Sequence, residues 1–342
     1  MTWPSGSMVA LTVAGPGRLG RTVLPIPPPR PDHVLIRPRY VGLCGTDLEL
    51  LRGAVPYFRD GRASYPQVFG HEWWGEVVTD SAGFAAGEAV VGHTMLPCGL
   101  CANCRRGRRQ ICLRLAEVGL YGQQGAAAEY LRMPAHALTR LPPRLAVPGA
   151  VLVEPAVTAM EALERTRCGP LDRVAVLGTG TIGLLTVRLA GHRGARVDAI
   201  GIEAAGRALA ARAGAEATHS PDTAPAGEYS LVVEASGAGA AFRSAFEMVQ
   251  TGGRIAVVGV INEPVDGIVP ATLVLRGISV HGIQHGLDHY DPVVRLFAEG
   301  VLDGGELVAD VLPATDVARA FKVLEHGRTG RPKIVLDLGG GL

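Results

Sequence analysis

Lysine is almost missing from this chain: of 33 basic residues only Lys322 and Lys333 are lysines, and the rest are arginine. An arginine-rich surface solvates a protein about as well, so the scarcity reads as compositional bias without functional weight. Neither sign of charge is in surplus. A formal net charge of +1 excludes the broad positive field expected where nucleic acid is the main partner. Long hydrophobic runs are missing too, with no stretch of about 18 or more predominantly apolar residues, so no membrane span is expected. The segment Met1 to Met8 has no charged region followed by an apolar one, so no secretory signal is expected and the default compartment is the cytoplasm.

What is present is globular. The 342 residues, 47% hydrophobic and 19% charged, lack the signature of disorder and suit two domains of roughly 150–200 residues each. Glycine (46) and proline (24) make about a fifth of the chain, below the roughly 25–30% of low-complexity sequence. They punctuate a fold with many turns.

Four of the six cysteines crowd into fifteen residues: Cys98, Cys101, Cys104 and Cys112, spaced C-x2-C-x2-C-x7-C. Disulfides are disfavoured in a reducing cytoplasm, and two-residue spacings let thiolates converge on one ion. Four thiolates around zinc close its shell, which predicts a structural site rather than a catalytic one. The bacterial iron–sulfur run has a different spacing, C-x2-C-x2-C-x3-C-P. Arg105, Arg106, Arg108 and Arg109 lie in the same loop, but without a paired ribbon or interleaved aromatics they read as a solvated face.

The first third reads as short strands cut by glycine and proline: His33–Arg37, Glu76–Val78 and Ala89–Val91. Near Val151 the pattern changes. Apolar, β-branched runs at 173–177, 195–200, 230–234 and 254–259 alternate with helical spacing at 184–193 and 240–249, which predicts a parallel doubly wound sheet. Helices at 292–299 and 315–326 and a strand at 333–338 complete the tail.

Between the first of those strands and its helix stands Gly178-Thr179-Gly180-Thr181-Ile182-Gly183, a G-x-G-x-x-G in its diagnostic context. Gly178 allows the tight turn, Gly180 the approach of a pyrophosphate, and Gly183 close helix–strand packing. The helix N-terminus then faces the phosphates. Cofactor choice rests on the residues about 20 positions on. Glu203 could hydrogen-bond a ribose and favours NAD slightly. Gly201 leaves room for a 2′-phosphate, which Arg207 could pair.

Cys44, in Gly42-Leu43-Cys44-Gly45-Thr46-Asp47, and His71, in Gly70-His71-Glu72, are bland alone: a buried thiol and a core histidine. With the cysteine loop, Glu154-Pro155 and the glycine turn, however, they make five motifs in order. On those residues the chain resembles the zinc-dependent medium-chain dehydrogenase/reductase family over essentially its whole length.

That resemblance implies an α/β chain with a GroES-like β-rich catalytic domain over 1–152 and 286–342, and a Rossmann doubly wound domain over 153–285. It implies two zincs per chain, one structural and one catalytic, with NAD or NADP. It makes Cys44, His71 and a carboxylate the catalytic ligands. Alcohol dehydrogenases with a Cys₂His site have a second cysteine where this chain has Glu154, so either Glu72 or Glu154 serves. The resemblance assigns Thr46 to take the alcohol proton and Asp47 to orient His71. Glu49 stands where many relatives place a relay histidine, so proton exit runs through Glu49, the ribose or water. Apart from the resemblance, His285 reads either as a residue for the nicotinamide end or as a surface histidine.

The expected reaction is oxidation of a secondary hydroxyl to a ketone, or the reverse. The zinc acts as Lewis acid and the nicotinamide as hydride acceptor. Glu154-Pro155 and His71-Glu72-Trp73 resemble the polyol, sugar and aminocyclitol branch, 2-deoxy-scyllo-inosamine dehydrogenases included. Threonine and simple secondary-alcohol dehydrogenases are the near alternative. A zinc-stabilised NAD(P) sensor without turnover is the alternative of another class. Partners are then a small alcohol or ketone and, by family expectation, further copies in a homodimer or homotetramer, with no nucleic acid and no membrane.

Overall fold

A computed structural model describes residues 2–326 and 330–342. The chain divides into two compact units: Met1–Glu154 with Asp303–Arg328 and Lys333–Leu342, and Pro155–Leu302 with Thr329–Pro332. Residues 286–302 thus group with the second unit, and the return to the first comes at Asp303 instead of 286. No helix among the described residues is long and apolar enough to cross a membrane.

The first unit is built on a seven-stranded sheet. Its path runs Leu138–Arg140, Ala89–Gly92, Glu72–Val77, His33–Leu43, Lys333–Asp337 and Val308–Pro313, and Leu131–Pro134 also pairs with the central strand. That central strand, His33–Leu43, is longer than its sequence suggested. Pro38 interrupts the pairing, but a shift of register between Pro38 and Tyr40 lets the ladder resume, as bulges allow. On one flank Gly42 lies opposite Glu72, and on the other Leu43 lies opposite Ile334. A second sheet, opened by the hairpin Ser7–Gly15 and Arg18–Pro25, takes in Gln67–Val68. Between these layers Leu11, Val34, Ile36, Val41, Phe69, Trp73, Ile334 and Leu336 are buried in one core.

The second unit carries six parallel strands in the order Ala217–His219, Arg196–Ile200, Arg173–Leu177, Tyr229–Glu234, Val249–Val257 and Ser279–Gly282. The order reverses at Arg173–Leu177, which makes this the doubly wound arrangement with its ligand crevice at the switch point. Ala175, Val232 and Ile255, each fully buried, explain why these strands read as apolar runs and not as alternation: both faces of a parallel sheet are covered.

Candidate metal centre and nucleotide turn

Two clusters of metal-binding side chains stand out among the described residues: Cys98, Cys101, Cys104 and Cys112, and Cys44, Asp47 and His71. In the first, sulfur separations of 3.4 Å (Cys98–Cys112), 3.5 Å (Cys101–Cys104) and 3.8 Å (Cys101–Cys112) suit a tetrahedral zinc, whose thiolates stand about 3.8 Å apart. The loop is pre-polarised for that role. Backbone N–H groups near Leu100 and Cys101 draw the Cys98 thiol down to about 6, while burial pushes Cys104 up to about 12. Such a site fits the ion, which would displace the remaining protons.

The second cluster is assembled by the sheet. Cys44 ends the central strand and caps the helix Gly45–Arg52. Its Sγ accepts from the Thr46 N–H at 3.3 Å, and its own N–H donates to Asp47 Oδ2 at 3.0 Å. His71 enters from the segment before Glu72–Val77, with Nε2 3.0 Å from Cys44 Sγ. Its Nδ1 faces Asp47 Oδ1 at 3.6 Å, and both atoms are buried with no closer hydrogen-bond partner. Burial opposes a charge on this imidazole, yet the Cys44 thiolate and the Asp47 carboxylate outweigh it and raise His71 well above its usual range. A buried pocket that so favours a positive charge fits a divalent cation on the Nε2 side. Asp47, on the opposite side of the ring, is placed to fix the tautomer.

The two candidate carboxylates differ. Glu154, in the first turn of the helix Val153–Arg165, accepts from the Thr94 hydroxyl at 2.7 Å, and that hydroxyl also lies 3.0 Å from the His71 carbonyl oxygen. Glu72 is buried at 2% exposure, and its Oε2 accepts from Lys333 Nζ at 2.5 Å. Burial raises the Glu72 carboxyl, with Lys333 pulling the other way. Neither joins the Cys44–Asp47–His71 cluster directly. Sequence reasoning missed Lys333 altogether. Its one signal was being one of only two lysines in an arginine-rich chain.

Thr46 and Glu49 sit on the helix behind Cys44, where burial raises the Glu49 carboxyl and Arg52 opposes the shift. The same unit carries a polar aromatic cluster. Tyr121 donates to Glu117 at 2.8 Å and Tyr57 reaches the same oxygen at 3.4 Å. The Arg62 guanidinium lies over both rings, 4.6 and 4.8 Å from their centroids. Tyr57 is close enough to His71 to feel its charge. Trp73 and Trp74, by contrast, are buried core residues.

In the second unit the glycine turn matches its three chemical demands. Gly178 has φ +108°, open only to glycine at low cost, and a Cβ on Gly183 would lie 1.9 Å from the Gly178 carbonyl oxygen. At Gly180 a Cβ would meet nothing within 4 Å, and no side chain caps the helix Thr181–His192 that starts there. An open cradle at an uncapped helix N-terminus fits a pyrophosphate. Thr179 and Ile182 complete the turn. Gly201 has a packing reason of its own, because its Cβ would press to 2.7 Å of the Thr179 side chain. Glu203 is exposed at the start of the helix Ala204–Arg212, while Arg207 donates to the Gly201 and Ile202 carbonyls at 2.8 and 2.9 Å. His285, buried, lies 3.5 Å from the Tyr290 hydroxyl.

Comparison with known proteins agrees with this chemistry. Residues 30–143 match the alcohol dehydrogenase GroES-like domain, and residues 181–299 match the zinc-binding dehydrogenase family. An L-threonine 3-dehydrogenase of Coxiella burnetii is 30% identical over 332 residues, covering 92% of this chain and 94% of the relative. The chain belongs to the zinc-dependent medium-chain dehydrogenase family. This medium-chain dehydrogenase is also 31% identical to the L-threonine 3-dehydrogenase of Anaeromyxobacter dehalogenans, over 92% of the chain and 94% of that relative. A zinc-binding dehydrogenase from Sinorhizobium meliloti 1021, bound to NADP, superposes with TM-score 0.88 at 27% identity, covering 97% and 99% of the two chains. The alcohol dehydrogenase of Thermus sp. ATN1 gives 0.86 at 30% identity, covering 96% and 99%. The dehydrogenase is accordingly an oxidoreductase acting on CH–OH groups, with zinc and a nicotinamide dinucleotide as cofactors.

Proposed function

We propose that this dehydrogenase oxidises a secondary hydroxyl of a polyol, sugar or aminocyclitol to the ketone, or reduces the ketone. The observation that carries the reading is the Cys44–His71 pair, 3.0 Å apart with His71 buried, with carboxylates in place of a second cysteine. When bound, zinc supplies a Lewis acid that lowers an alcohol's pKa, and the nicotinamide supplies a hydride acceptor. Cys44, His71 and one of Glu72 or Glu154 hold the catalytic metal, and Asp47 fixes the His71 tautomer. Thr46 receives the alcohol proton, and Glu49 offers a route for it to water. Tyr57 and Arg62 form the polar wall offered to a hydroxylated substrate. Gly178, Thr179, Gly180, Thr181, Ile182 and Gly183 hold the pyrophosphate. Glu203 would select NAD by bonding the ribose, whereas Arg207 beside Gly201 would accept the 2′-phosphate of NADP. Cys98, Cys101, Cys104 and Cys112 hold the structural zinc.

A second reading, threonine 3-dehydrogenase, is favoured by the names of the curated relatives at 30–31% identity. Initial rates with a panel of polyols, aminocyclitols and L-threonine, each with NAD and NADP, separate the two. Turnover with L-threonine alone would replace the first reading by the second. Nucleotide binding without turnover on any alcohol would favour a sensor over both.

The protein is read as cytoplasmic and as a homodimer or homotetramer. The strand Ser279–Gly282 ends its sheet, with Val280 41% exposed and Val274 and Leu275 of the adjoining helix 81% and 83% exposed. An apolar sheet edge of this kind is one a second copy covers. Light scattering of the purified protein tests this, and a monomer would refute it.

A further inference from the structure

The doubly wound sheet of the second unit contains two mononucleotide halves, and their leading strands end side by side. Arg173–Leu177 opens the first half and Tyr229–Glu234 the second, with Leu177 opposite Glu234 in the register. Each strand runs through a glycine-bearing turn into a helix: Gly178-Thr179-Gly180 into Thr181–His192, and Ala235-Ser236-Gly237-Ala238 into Gly239–Met248. Neither helix has a side-chain cap at its N-terminus. The two turns also touch, since a Cβ on Gly178 would lie 3.0 Å from the backbone of Ala235 and Ser236.

What fills the two turns differs. In the first, a Cβ placed on Gly180 would meet nothing within 4 Å, which leaves room for a phosphate. In the second, the Glu234 carboxylate folds back on its own turn. Its Oε1 accepts from the Ser236 N–H at 2.8 Å, the Ser236 hydroxyl at 2.5 Å and the Gly237 N–H at 2.9 Å. Successive N–H groups aimed at one oxygen form a nest for an anion, and here the chain itself supplies the anion. Glu234 is wholly buried, and its Oε2 has no hydrogen-bond partner among the described residues. Gly259 makes room for that oxygen: a Cβ there would lie 2.6 Å from Oε2 and 2.3 Å from the Gly237 nitrogen. A buried carboxylate with one oxygen unpaired is costly, and a positively charged ligand beside it would offset that cost.

We infer that Glu234 takes in the second half the place that the pyrophosphate takes in the first. Its fixed charge closes that nest to phosphate and favours the positively charged oxidised nicotinamide over the neutral reduced ring. Glu234 thereby sets the preference between the two redox forms of the cofactor. The inference rests on the reading of Gly178–Gly183 as the pyrophosphate turn, which gives the adenosine end to the first half and the nicotinamide to the second. A charge in low-dielectric surroundings acts over several ångströms, so Glu234 needs no contact with the ring. A glutamine of the same shape would keep an acceptor for the turn and remove the charge.

Calorimetric titration of parent protein and Glu234→Gln with NAD, NADH and ADP-ribose tests this, and again with NADP and NADPH. ADP-ribose carries the pyrophosphate without the nicotinamide. Glu234→Gln should lose about three- to tenfold in affinity for the oxidised form relative to the reduced one, with ADP-ribose binding within about twofold of parent. Equal or opposite changes for the two redox forms overturn the inference. So does a loss of ADP-ribose binding as large as that of the oxidised nucleotide, which is what a merely structural role would give. Ser236→Ala should act the other way. Without its hydroxyl, more of the carboxylate charge is left uncompensated, and the preference for the oxidised form should rise by about twofold. Should Glu234→Gln not fold, Ser236→Ala decides alone, and an unchanged or lowered preference overturns the inference. The pyrophosphate reading fails separately, as a Gly180→Ala variant that binds ADP-ribose as tightly as parent.

Discussion

The cysteine lobe and the Cys44–His71 centre solve the same problem, gathering ligands for one ion, by opposite means. The lobe takes four identical donors from fifteen consecutive residues and needs only short turns to bring them within 3.4–3.8 Å. The second centre draws Cys44, Asp47 and His71 from separate segments, and the sheet brings them together. A locally written site can be lost at a cost in stability while the chemistry elsewhere is left intact. A site written by topology shares its residues with the core, and its charges must be balanced from both sides of a strand.

The sharpest break of this comparison is Cys44→Ala. It should lower turnover by at least about a thousandfold, roughly 4 kcal/mol of barrier, and take the metal count from two to one, with little change in melting temperature. Colorimetric metal analysis beside NADH-coupled rates checks both. Cys112→Ser should do the reverse, costing roughly 5–10 °C in melting temperature, on the scale of a few kcal/mol for a chain of this size, while folded enzyme assayed at low temperature keeps its rate. Equal effects of the two variants would erase the distinction.

The glycine turn sharpens it further. Gly183→Ala must push a methyl into the Gly178 carbonyl and should cost about 1–3 kcal/mol of stability, seen in urea unfolding. Gly180→Ala meets nothing in the free protein and should leave stability unchanged, yet weaken nucleotide binding by about tenfold by titration calorimetry. Glu49→Gln is the smallest effect. A carboxyl raised in the folded state contributes stability when protonated and loses it as pH rises through its folded value. The substitution should therefore raise the melting temperature at pH 7 by no more than about 2 °C, and the gain should vanish in acid.

Legibility followed the same division. The cysteine spacing and the G-x-G-x-x-G could be read directly because their chemistry lies within one or two turns of chain. Cys44 and His71, ordinary alone, became legible as a set through the order of motifs. Lys333 did not. Its partner is 261 residues away, the residue between them is a glycine with no chemistry of its own, and the surrounding composition made lysine look accidental. The Arg62–Tyr57–Tyr121 stack was equally hidden, since aromatic residues near motifs usually fill core. The return of the chain at Asp303 was misplaced to 286 because helical spacing says nothing about which core a helix joins.

The centre of the large sheet also imposes a timetable. The ribosome makes the strand His33–Leu43 long before its neighbour Lys333–Asp337, since Leu43 and Lys333 are 290 residues apart. Through most of synthesis the Tyr40–Leu43 end of one flank of that strand is an open edge, and Glu72 lacks its Lys333 partner. The second unit is translated in the interval and can fold first. An emerging chain therefore carries a half-built central sheet, which only the arrival of the strand Lys333–Asp337 completes.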